Sequence, residues 1–296
     1  MVEFLVDRLK NKFRVATLSR GYKRKTRGYA LAGKETTALD IGDEPMLFHK
    51  KFPDVPVAVG EKRVEAIPQL LHDKPETQVI ILDDAFQHRS IKAGFNIILT
   101  DKENLYTRDF FLPTGDLRDL PSSAKRAEVI IVTKCPPDMG EDERREIITE
   151  INPSEEQELF FTAISYNIPY HISSGQEYYL NEDTEVLLIT GIANPAPLKK
   201  LLEERTGSYY MMHYPDHHIF TIDDWKDIRK RFDSIESPNK IILTTEKDAM
   251  RFMKFGKEMN GMPFYVIPIK IRFLFNQEAE FTGAIESFIE QFKQPK

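Results

Sequence analysis

Short apolar runs alternate with longer amphipathic segments in the first half of the chain. The segments "MVEFLVDRLK", "EKRVEAIPQLLHD" and "GEDERREIITEI" carry apolar residues at helical spacing. The runs with strand composition are "RVATL", "VPVAVG", "QVIILDD", "FNIILTD" and "EVIIVTK". Strands that alternate with helices are typical of a mostly parallel sheet with helices on both faces. We therefore expect an α/β fold.

The second half of the chain repeats this alternation. "EVLLITGIANPAPLKKLLEE" predicts strand, loop and helix, and Thr221 with Asp224 forms a capping signal for the helix "TIDDWKDIRKRF". Further strands are predicted in "SYYMMHY", "NKIILTTEKDAMRF" and "PFYVIPIKIRF", and a closing helix in "EAEFTGAIESFIEQF". We predict one α/β domain over residues 1–166 and a smaller one over residues 167–296, whose last helix, about 278–296, can return to the first domain.

Composition indicates a globular protein, with 41% apolar and 30% charged residues over a length of 296. The formal net charge of -6 gives no reason to expect nucleic-acid binding. Cys135 is the single cysteine, which fits a reducing compartment and a role as an apolar filler. No apolar stretch reaches 18 residues and no signal peptide is visible, so we expect this chain itself to be soluble.

The stretch "VIILDDAFQH" runs from an apolar strand directly into Asp83 and Asp84. Such acids at a strand's carboxyl end either bind a metal ion or simply belong to a solvated turn. A metal-binding strand of this kind normally works with a phosphate loop, G-x-x-x-x-G-K-[ST]. The chain has Gly-Lys pairs only at Gly33-Lys34 and Gly256-Lys257, and glutamate follows each, so the 296 residues contain no such loop.

Two polar stretches carry candidate acid–base groups. In "LDIGDEPML", Asp43 either caps a helix or accepts a proton from an attacking hydroxyl, with Glu44 beside it. In "YPDHHIF", Asp216, His217 and His218 are either solvated or form a carboxylate–histidine pair. The sequence alone leaves both alternatives open.

Two further stretches carry candidate anion and substrate contacts. The basic loop "SRGYKRKTRGY" contains Arg20 and Lys23 and is either a solvated loop or a phosphate-binding segment. "LPTGDLRDL" presents Arg118 next to Asp119 in a turn.

Taken in order, these stretches resemble a known family. "LSRGYKRKTRGYAL", "GDEPMLFHKKFPDVPVAVGEKRVEAI", "LDDAFQHRSI", "FFLPTGDLRDLPSSAKRAEVIIVTK", "ITGIANP", "PDHHIFT" and "TTEKDAMRF" are similar to segments of the tetraacyldisaccharide 4'-kinases. The resemblance implies a P-loop-kinase-like core with a second, smaller α/β domain. It also implies phosphoryl transfer from ATP, with Mg²⁺, to the 4'-hydroxyl of an acylated glucosamine disaccharide 1-phosphate, which gives lipid IVA in lipid A biosynthesis.

The resemblance also implies roles for individual residues and a place of action. We expect a monomer at the cytoplasmic face of the inner membrane of a Gram-negative bacterium, in peripheral contact with the lipid. The candidate site residues are Asp43 and His217 for proton transfer; Asp83, Asp84 and Glu44 for the metal; Arg20, Gln87 and His88 for ATP; and Arg118, Asp119 and Lys23 for the lipid precursor.

The chain departs from the family pattern at its start. In the family, a membrane helix, a strand and the loop G-G-T-G-K-[ST]-P precede the helix that Met1 opens here. The simplest interpretation is a start codon placed too far downstream, and a real truncation is the other. Smaller departures are Ala85 in place of a common glycine and "GDLRD" in place of "GPLRE". We expect a chain without the loop and strand to be nearly inactive, with a sheet position unfilled.

Two other functions stay open from the sequence. One is a metal-dependent phosphoesterase that uses two metal ions and needs no phosphate loop. Its ligands would be Asp43, Asp83, Asp84, His88 and His217. The other is a non-catalytic fragment that binds the lipid precursor or a partner.

Overall fold

Helices packed on mostly parallel strands make up residues 1–292, which the structure, a computed structural model, describes. The helices are α1 Val2–Leu9, α2 Ala38–Ile41, α3 Asp43–Lys51, α4 Arg63–Asp73, α5 Glu141–Ile151, α6 Ala196–Arg205, α7 Ile222–Asp233, α8 Glu246–Phe252 and α9 Glu278–Gln291. The strands are β1 Val15–Ser19, β2 Ala30–Leu31, β3 Val57–Val59, β4 Val79–Leu82, β5 Ile97–Asp101, β6 Val129–Thr133, β7 Glu158–Tyr166, β8 Tyr170–His171, β9 Glu185–Thr190, β10 Ser208–His213, β11 Lys240–Thr245, β12 Phe264–Ile267 and β13 Ile269–Phe273. The predicted α/β fold class is confirmed.

The strands of the first half, joined by β13 from near the end of the chain, form two sheets of four strands each. One has the order β2-β3-β1-β4 and the other the order β13-β7-β6-β5. Neighbours within each sheet are parallel, except that β2 and β13 run antiparallel to the strands they join. Among residues 1–292, β4 and β5 are therefore edge strands.

A single hydrophobic core lies under both of these sheets. Val6 of α1 and Phe281 of α9 pack in one cluster with Ile81 of β4 and Ile131 of β6. The two sheets consequently belong to one layer that α1 and α9 cover, although no hydrogen bond joins β4 to β5. Leu99 of β5 is 49% exposed, as expected for a residue on an edge strand.

The second half forms a five-stranded sheet in the order β10-β9-β11-β12-β8. Its strands are parallel apart from β8. Leu187 and Leu188 are both fully buried and belong to clusters on opposite faces, so helices cover both sides of this sheet. The predicted capping box of α7 is confirmed, because Thr221 and Asp224 bond each other's backbone.

Three local predictions differ from the structure. "NKIILTTEKDAMRF" is not one strand: β11 ends at Thr245, whose side chain accepts a hydrogen bond from Asp248 N and begins α8. "PFYVIPIKIRF" is split at Pro268, so β12 joins the second sheet and β13 joins the first. The third difference is strand β7, Glu158–Tyr166, which the pattern of apolar runs does not predict.

The chain returns to the first layer before its last helix. β13 pairs with β7, and α9 adds Phe281 and Ile285 to the core under the first sheets. The division at residue 166 remains a prediction. No helix in the described part of the chain combines the length and apolar character needed to cross a bilayer.

Candidate active site

Asp43 and Glu44 occupy the first turn of α3. Gly42, just before them, has a φ of 96°, which L side chains rarely adopt, and a Cβ there would lie 3.1 Å from Tyr22 O. The glycine therefore permits the sharp turn from α2 into α3. Gly42 is also the N-cap residue, and no side chain caps this end. The alternative that Asp43 is a capping residue is thus wrong.

The Asp43 carboxylate meets two side chains of the second half of the chain. His217 Nδ1 lies 3.1 Å from Asp43 Oδ2. Arg251 Nε donates to Asp43 Oδ1 at 2.8 Å, and its Nη2 donates to Oδ2, so the guanidinium grips both oxygens. These side chains are only 7–14% exposed. The structure therefore brings the two predicted acid–base residues together and adds an arginine to them.

The other edge of the His217 ring is also occupied. Lys247 Nζ lies 3.2 Å from His217 Nε2 and donates to Asp216 Oδ1 at 3.0 Å. Burial opposes ionisation of Asp216, but the hydrogen bond and charge of Lys247 hold the pKa of that carboxyl below its ordinary value. The Tyr22 ring meets the imidazole edge-on at a centroid distance of 5.2 Å. His217 itself has a φ of 65°, an uncommon conformation that these contacts support.

His218 has a different environment from its neighbour His217. His218 Nε2 lies 2.9 Å from Asp224 Oδ2, and its ring stacks on Tyr214 at 4.8 Å. The residue thus ties the loop to the start of α7. Its contacts are structural.

Asp83 stands at the carboxyl end of β4 in an environment that disfavours its charge. Burial raises the pKa of the Asp83 carboxyl, and the negative charges of Glu44 and Asp84 raise it further. The positive charges of the Met1 amino group and of Arg63 offset these effects only in part. The charges of Asp83 and Glu44 also act on the Met1 amino group, so the start of α1 lies beside the same acids. A cation bound here would relieve the repulsion among them.

Asp84 is paired rather than free. Arg118 Nη1 and Nη2 donate to its two carboxylate oxygens at 3.0 and 2.6 Å. The hydrogen bonds from Arg118 lower the pKa of the Asp84 carboxyl despite partial burial. Both side chains are about half exposed. One predicted metal residue and one predicted substrate residue therefore contact each other.

Asp119 belongs to a separate group of contacts. Its carboxylate accepts hydrogen bonds from Leu120 N at 2.9 Å, from Arg89 at 3.1 Å and from Arg126 at 3.2 Å. The bond from Leu120 N, followed by those from Ser123 and Arg89, lowers the pKa of the Asp119 carboxyl. This network attaches the "GDLRD" turn to the loop that follows Asp84.

Cationic side chains gather near the acids after β4. Arg63 is buried and donates to Gly60 O at 2.6 Å and to Asp83 O at 3.1 Å. Burial lowers the pKa of His88, and the positive charges of Arg63 and Arg20 lower it further. The predicted ATP residues Arg20 and His88 are therefore close to each other and to Arg63.

The remaining two predicted residues are exposed. Gln87 lies in the turn after Asp84. Lys23 has a φ of 57° and places its ammonium 5.6 Å from the centre of the Tyr22 ring. Lys23 therefore lies next to Tyr22, whose ring contacts His217.

The acids do not by themselves complete a metal site. Within residues 1–292, no group of three or more His, Cys, Asp or Glu side chains converges closely enough to hold a metal ion. Mg²⁺ is commonly held by one or two carboxylates, with water and phosphate oxygens completing the octahedron. Asp83 and Glu44 fit that pattern as two neighbouring carboxylates, because the charge of Glu44 raises the pKa of Asp83.

Sequence reasoning missed four residues of this region: Tyr22, Arg63, Lys247 and Arg251. A usable signal existed for two of them. "IILTTEKDAMRF" brings Lys247 and Arg251 directly after the carboxyl end of β11, just as "VIILDD" brings acids after β4. The rule that sites form at the carboxyl ends of parallel strands applies equally to both. Arg63 and Tyr22 gave no such signal.

A mostly parallel sheet with acids at its strand ends and cations beside them is typical of α/β enzymes that bind phosphate groups. The sequence profile described as tetraacyldisaccharide-1-P 4'-kinase, LpxK, matches residues 1–290. The chain belongs to this family.

Individual relatives agree with that assignment. The tetraacyldisaccharide 4'-kinase of Flavobacterium johnsoniae is 40% identical over 298 residues, covering 99% of this chain and 84% of the relative. The enzyme of the same name from Bacteroides thetaiotaomicron is 40% identical over 305 residues, covering 98% and 80%. A crystal structure of an "apo" form of LpxK from Aquifex aeolicus in complex with ATP has a TM-score of 0.69 and 25% identity, covering 97% of this chain and 82% of that one.

Proposed function

We propose that this protein transfers the γ-phosphoryl group of ATP to the 4'-hydroxyl of a tetraacylated glucosamine disaccharide 1-phosphate, giving lipid IVA in lipid A biosynthesis. One observation carries the proposal: Asp43, at the start of α3, contacts His217 from the other half of the chain at 3.1 Å. Asp83 is close enough to Glu44, the neighbour of Asp43, for the negative charge of Glu44 to raise the pKa of the Asp83 carboxyl. Membership of the family supports this reaction and these substrates over the alternatives.

In this reaction Asp43 accepts the proton of the sugar hydroxyl. The hydroxyl oxygen forms a bond to the γ-phosphorus, the bond from that phosphorus to the β,γ-bridging oxygen breaks, and ADP leaves with the electron pair. His217 holds the Asp43 carboxylate in place. Phosphoryl transfer depends mainly on positioning and charge neutralisation, so an acid–base pair assembled from two halves of the chain can restrict reaction with water.

The other predicted residues bind charge. Asp83 and Glu44, and Asp84 once Arg118 releases it, would hold Mg²⁺, which neutralises phosphate oxygens when bound. Arg20, Gln87 and His88 would contact the phosphates of ATP. The residues proposed for the lipid precursor are Arg118, Asp119 and Lys23.

The phosphate loop is the part of the machinery that these 296 residues do not encode. Losing one preorganised anion donor typically costs about 10²- to 10³-fold in rate, and such a loop supplies several. We therefore propose that the chain by itself is nearly inactive as a kinase. The edge strands β4 and β5 could accept a further parallel strand, because both belong to the layer beneath α1 and α9.

We further propose that the protein acts as a monomer at the cytoplasmic face of the inner membrane, in peripheral contact with lipid. Phe110, Phe111 and Leu112 are 70%, 44% and 61% exposed in the loop that leads to Arg118. An exposed apolar group of this kind next to a candidate lipid-substrate residue fits contact with acyl chains.

The phosphoesterase alternative has less support. A two-metal centre requires several ligands that converge, and no group of three does so within residues 1–292. Arg251 donates to both carboxylate oxygens of Asp43, so one of the proposed ligands already has a cationic partner. The non-catalytic alternative would bind the lipid precursor with no dependence on Mg-ATP.

The test compares the 296-residue chain with a version that has a strand and phosphate loop joined ahead of Met1. We expect lipid phosphorylation from the longer version only, and a loss of about 10²-fold or more in kcat from Asp43→Ala or His217→Ala in it. Asp233→Asn and His72→Gln are matched controls at exposed positions. Normal lipid phosphorylation by the Asp43→Ala variant would disprove the proposed role of this acid.

A further inference from the structure

A lysine and an aspartate form an ion pair at the carboxyl ends of β5 and β6. Lys134 Nζ lies 2.6 Å from Asp101 Oδ2. The two strands are parallel neighbours, and Asp101 is the register partner of Thr133, the last residue of β6. The side chains are 58% exposed for Lys134 and 30% exposed for Asp101, so both are open to a ligand. We call these two residues the Lys134–Asp101 pair.

The backbone that carries the Lys134–Asp101 pair is held by local contacts. Lys134 has a φ of 58°, an uncommon conformation for a residue with a side chain, and such outliers cluster at functional sites. Asp101 Oδ1 accepts a hydrogen bond from Glu103 N at 3.0 Å. Lys102 N donates to Thr133 O at 3.0 Å. These bonds tie the ends of β5 and β6 together beneath the two charged groups.

The Lys134–Asp101 pair lies at the same edge of the first layer as the acids after β4. Arg118, in the loop after β5, donates to Asp84, in the loop after β4, at 2.6 Å, so the two strands end on the same side. Ligands of open parallel sheets bind at the carboxyl ends of the strands. With one strand position between β4 and β5, the end of β6 would be about 14 Å from the end of β4 at the usual strand spacing. An extended ATP molecule spans a similar distance from its γ-phosphorus to its base.

The charges at the two ends of this edge differ. Beside β4, the Arg63 guanidinium donates to Asp83 O at 3.1 Å, in surroundings suited to phosphate oxygens and a metal ion. Beside β5 and β6, the Lys134–Asp101 pair joins one cation to one anion and has no net charge. A phosphate placed there would meet the Asp101 carboxylate. An uncharged group such as a nucleobase therefore fits this place better than a phosphate does.

The Lys134–Asp101 pair presents one donor and one acceptor side by side. A lysine ammonium can only donate hydrogen bonds, and an ionised aspartate can only accept them. Adenine has a matching edge, where the acceptor N7 lies next to the donor amino group. Guanine has two acceptors on that edge, N7 and O6, so its O6 would face the Asp101 carboxylate. The pair is therefore complementary to adenine and not to guanine.

We propose that the Lys134–Asp101 pair binds the adenine of ATP: Lys134 donates to N7, and Asp101 accepts from the amino group. The proposal rests on the proposed kinase function and deepens it, because it assigns recognition of the base to residues outside the phosphate and acid–base groups. The two residues determine specificity and do not touch the reacting atoms. Their substitution should therefore change the preference among nucleotides and the KM, and not the chemical step.

The specificity is tested with ITP, whose base has the ring size of adenine but a carbonyl oxygen in place of the amino group. In the version that carries a phosphate loop, we expect kcat/KM to be about tenfold or more higher for ATP than for ITP, the effect of a charge-assisted hydrogen bond. Asp101→Asn should reduce this ratio below about threefold, because an amide can also donate to the carbonyl. Lys134→Met should raise the KM about tenfold for both nucleotides, since both bases have N7. Asp223→Asn, which breaks the 2.7 Å ion pair with Lys226 on α7, is the matched control and should keep the ratio.

Two results of this comparison overturn the proposal. One is a wild-type ratio below about threefold, and the other is an unchanged ratio in Asp101→Asn. A folding defect cannot imitate the expected result, because it lowers kcat/KM for ATP and ITP alike.

The 296-residue chain supplies a second measurement that does not depend on catalysis. The azido group of 8-azido-ATP adjoins N7, so irradiation should label residues 101–104 or 133–138, and excess ATP should prevent the labelling. Labelling only elsewhere, or no labelling that ATP prevents, overturns the base site. An inactive wild type of the longer version refutes the proposed function instead, and the labelling result then decides the base site alone.

Discussion

Asp83 is ionisable in surroundings that oppose its ionisation. Burial, Glu44 and Asp84 all raise the pKa of its carboxyl above the ordinary value of 3.8. A raised carboxyl pKa weakens the folded state above the pKa of the unfolded chain and has no effect well below it. We therefore predict that Asp83→Asn raises the Tm at pH 7 and that this gain disappears near pH 3. Thermal unfolding at the two pH values measures both.

Magnesium gives the control for this prediction. If Asp83 binds the ion, Mg²⁺ should raise the Tm of the wild type more than that of Asp83→Asn, because a ligand stabilises only the state that binds it. Asp233→Asn, at the exposed end of α7, should respond like the wild type. A lower Tm for Asp83→Asn at pH 7 would contradict the electrostatic argument.

Removing the Arg118–Asp84 pair should affect substrate binding more than it affects the stability of the fold. Both side chains are about half exposed, and an exposed ion pair contributes only about 0–1 kcal/mol to folding. We predict that Arg118→Gln lowers the free energy of unfolding by less than about 1 kcal/mol. We expect the KM for the lipid precursor to rise about tenfold or more, because a charge-assisted hydrogen bond is lost. Arg145→Gln on α5 is the control, and an unchanged KM would contradict a substrate role.

A site residue can be predicted from the sequence when the pattern that indicates it lies next to it in the chain. Asp83 and Asp84 follow an apolar strand directly, so a short window of sequence suffices to find them. The partner of Asp43 is Arg251, 208 residues away, and nothing near either residue indicates the contact. Tertiary packing brings the two together, and only the structure supplies it.

At the scale of elements, the apolar runs predicted most strands. Two of the wrong predictions arise because a single residue ends or divides an apolar run. Thr245 is the last residue of β11 and caps α8, so a helix follows where the apolar run predicted strand. Pro268 divides another apolar run between two sheets. Strand β7 mixes polar and apolar residues in "ELFFTAISY", which weakens its pattern. Its burial comes from pairing with β6 and β13, two strands distant from each other in sequence.

The loop before Arg118 is held so that apolar side chains point outward. Leu117 N donates to Phe110 O at 3.0 Å, and Asp109 accepts from Phe110 N at 2.7 Å. A Cβ at Gly115 would lie 2.3 Å from both Asp109 Oδ1 and Phe110 O, so the tight turn requires glycine. This backbone network keeps the two phenylalanines out of the core.

We predict that Phe110→Ser with Phe111→Ser weakens binding to phosphatidylethanolamine–phosphatidylglycerol vesicles by about tenfold or more, since burying one phenylalanine is worth about 1.5–3 kcal/mol. Sedimentation with vesicles measures the bound fraction. Tyr179→Ser removes a similarly exposed ring, 67% exposed, far along the chain and should have little effect. Equal binding by wild type and double variant would place the lipid contact elsewhere.

At the scale of the molecule, a partly buried charge cluster joins the two halves of the chain. Lys51, the last residue of α3, contacts Glu3 at 2.7 Å and Glu246 at 2.5 Å, and thereby links α1, α3 and α8. Glu246 is 4% exposed. Burial raises the pKa of its carboxyl, while Lys51 acts in the opposite direction. The same contact positions α8, which bears Lys247 and Arg251.

We predict that Lys51→Met lowers the free energy of unfolding by about 2–4 kcal/mol at pH 7.5, because it leaves the Glu246 charge buried without its partner. The loss should shrink as the pH falls toward the ordinary Glu pKa of 4.5, where the carboxyl gains a proton in both folded and unfolded states. Lys50→Met, at the exposed neighbouring position, is the control in urea unfolding. Adding Glu246→Gln to Lys51→Met should restore part of the stability, whereas losses that simply add would mean that the two side chains are not coupled.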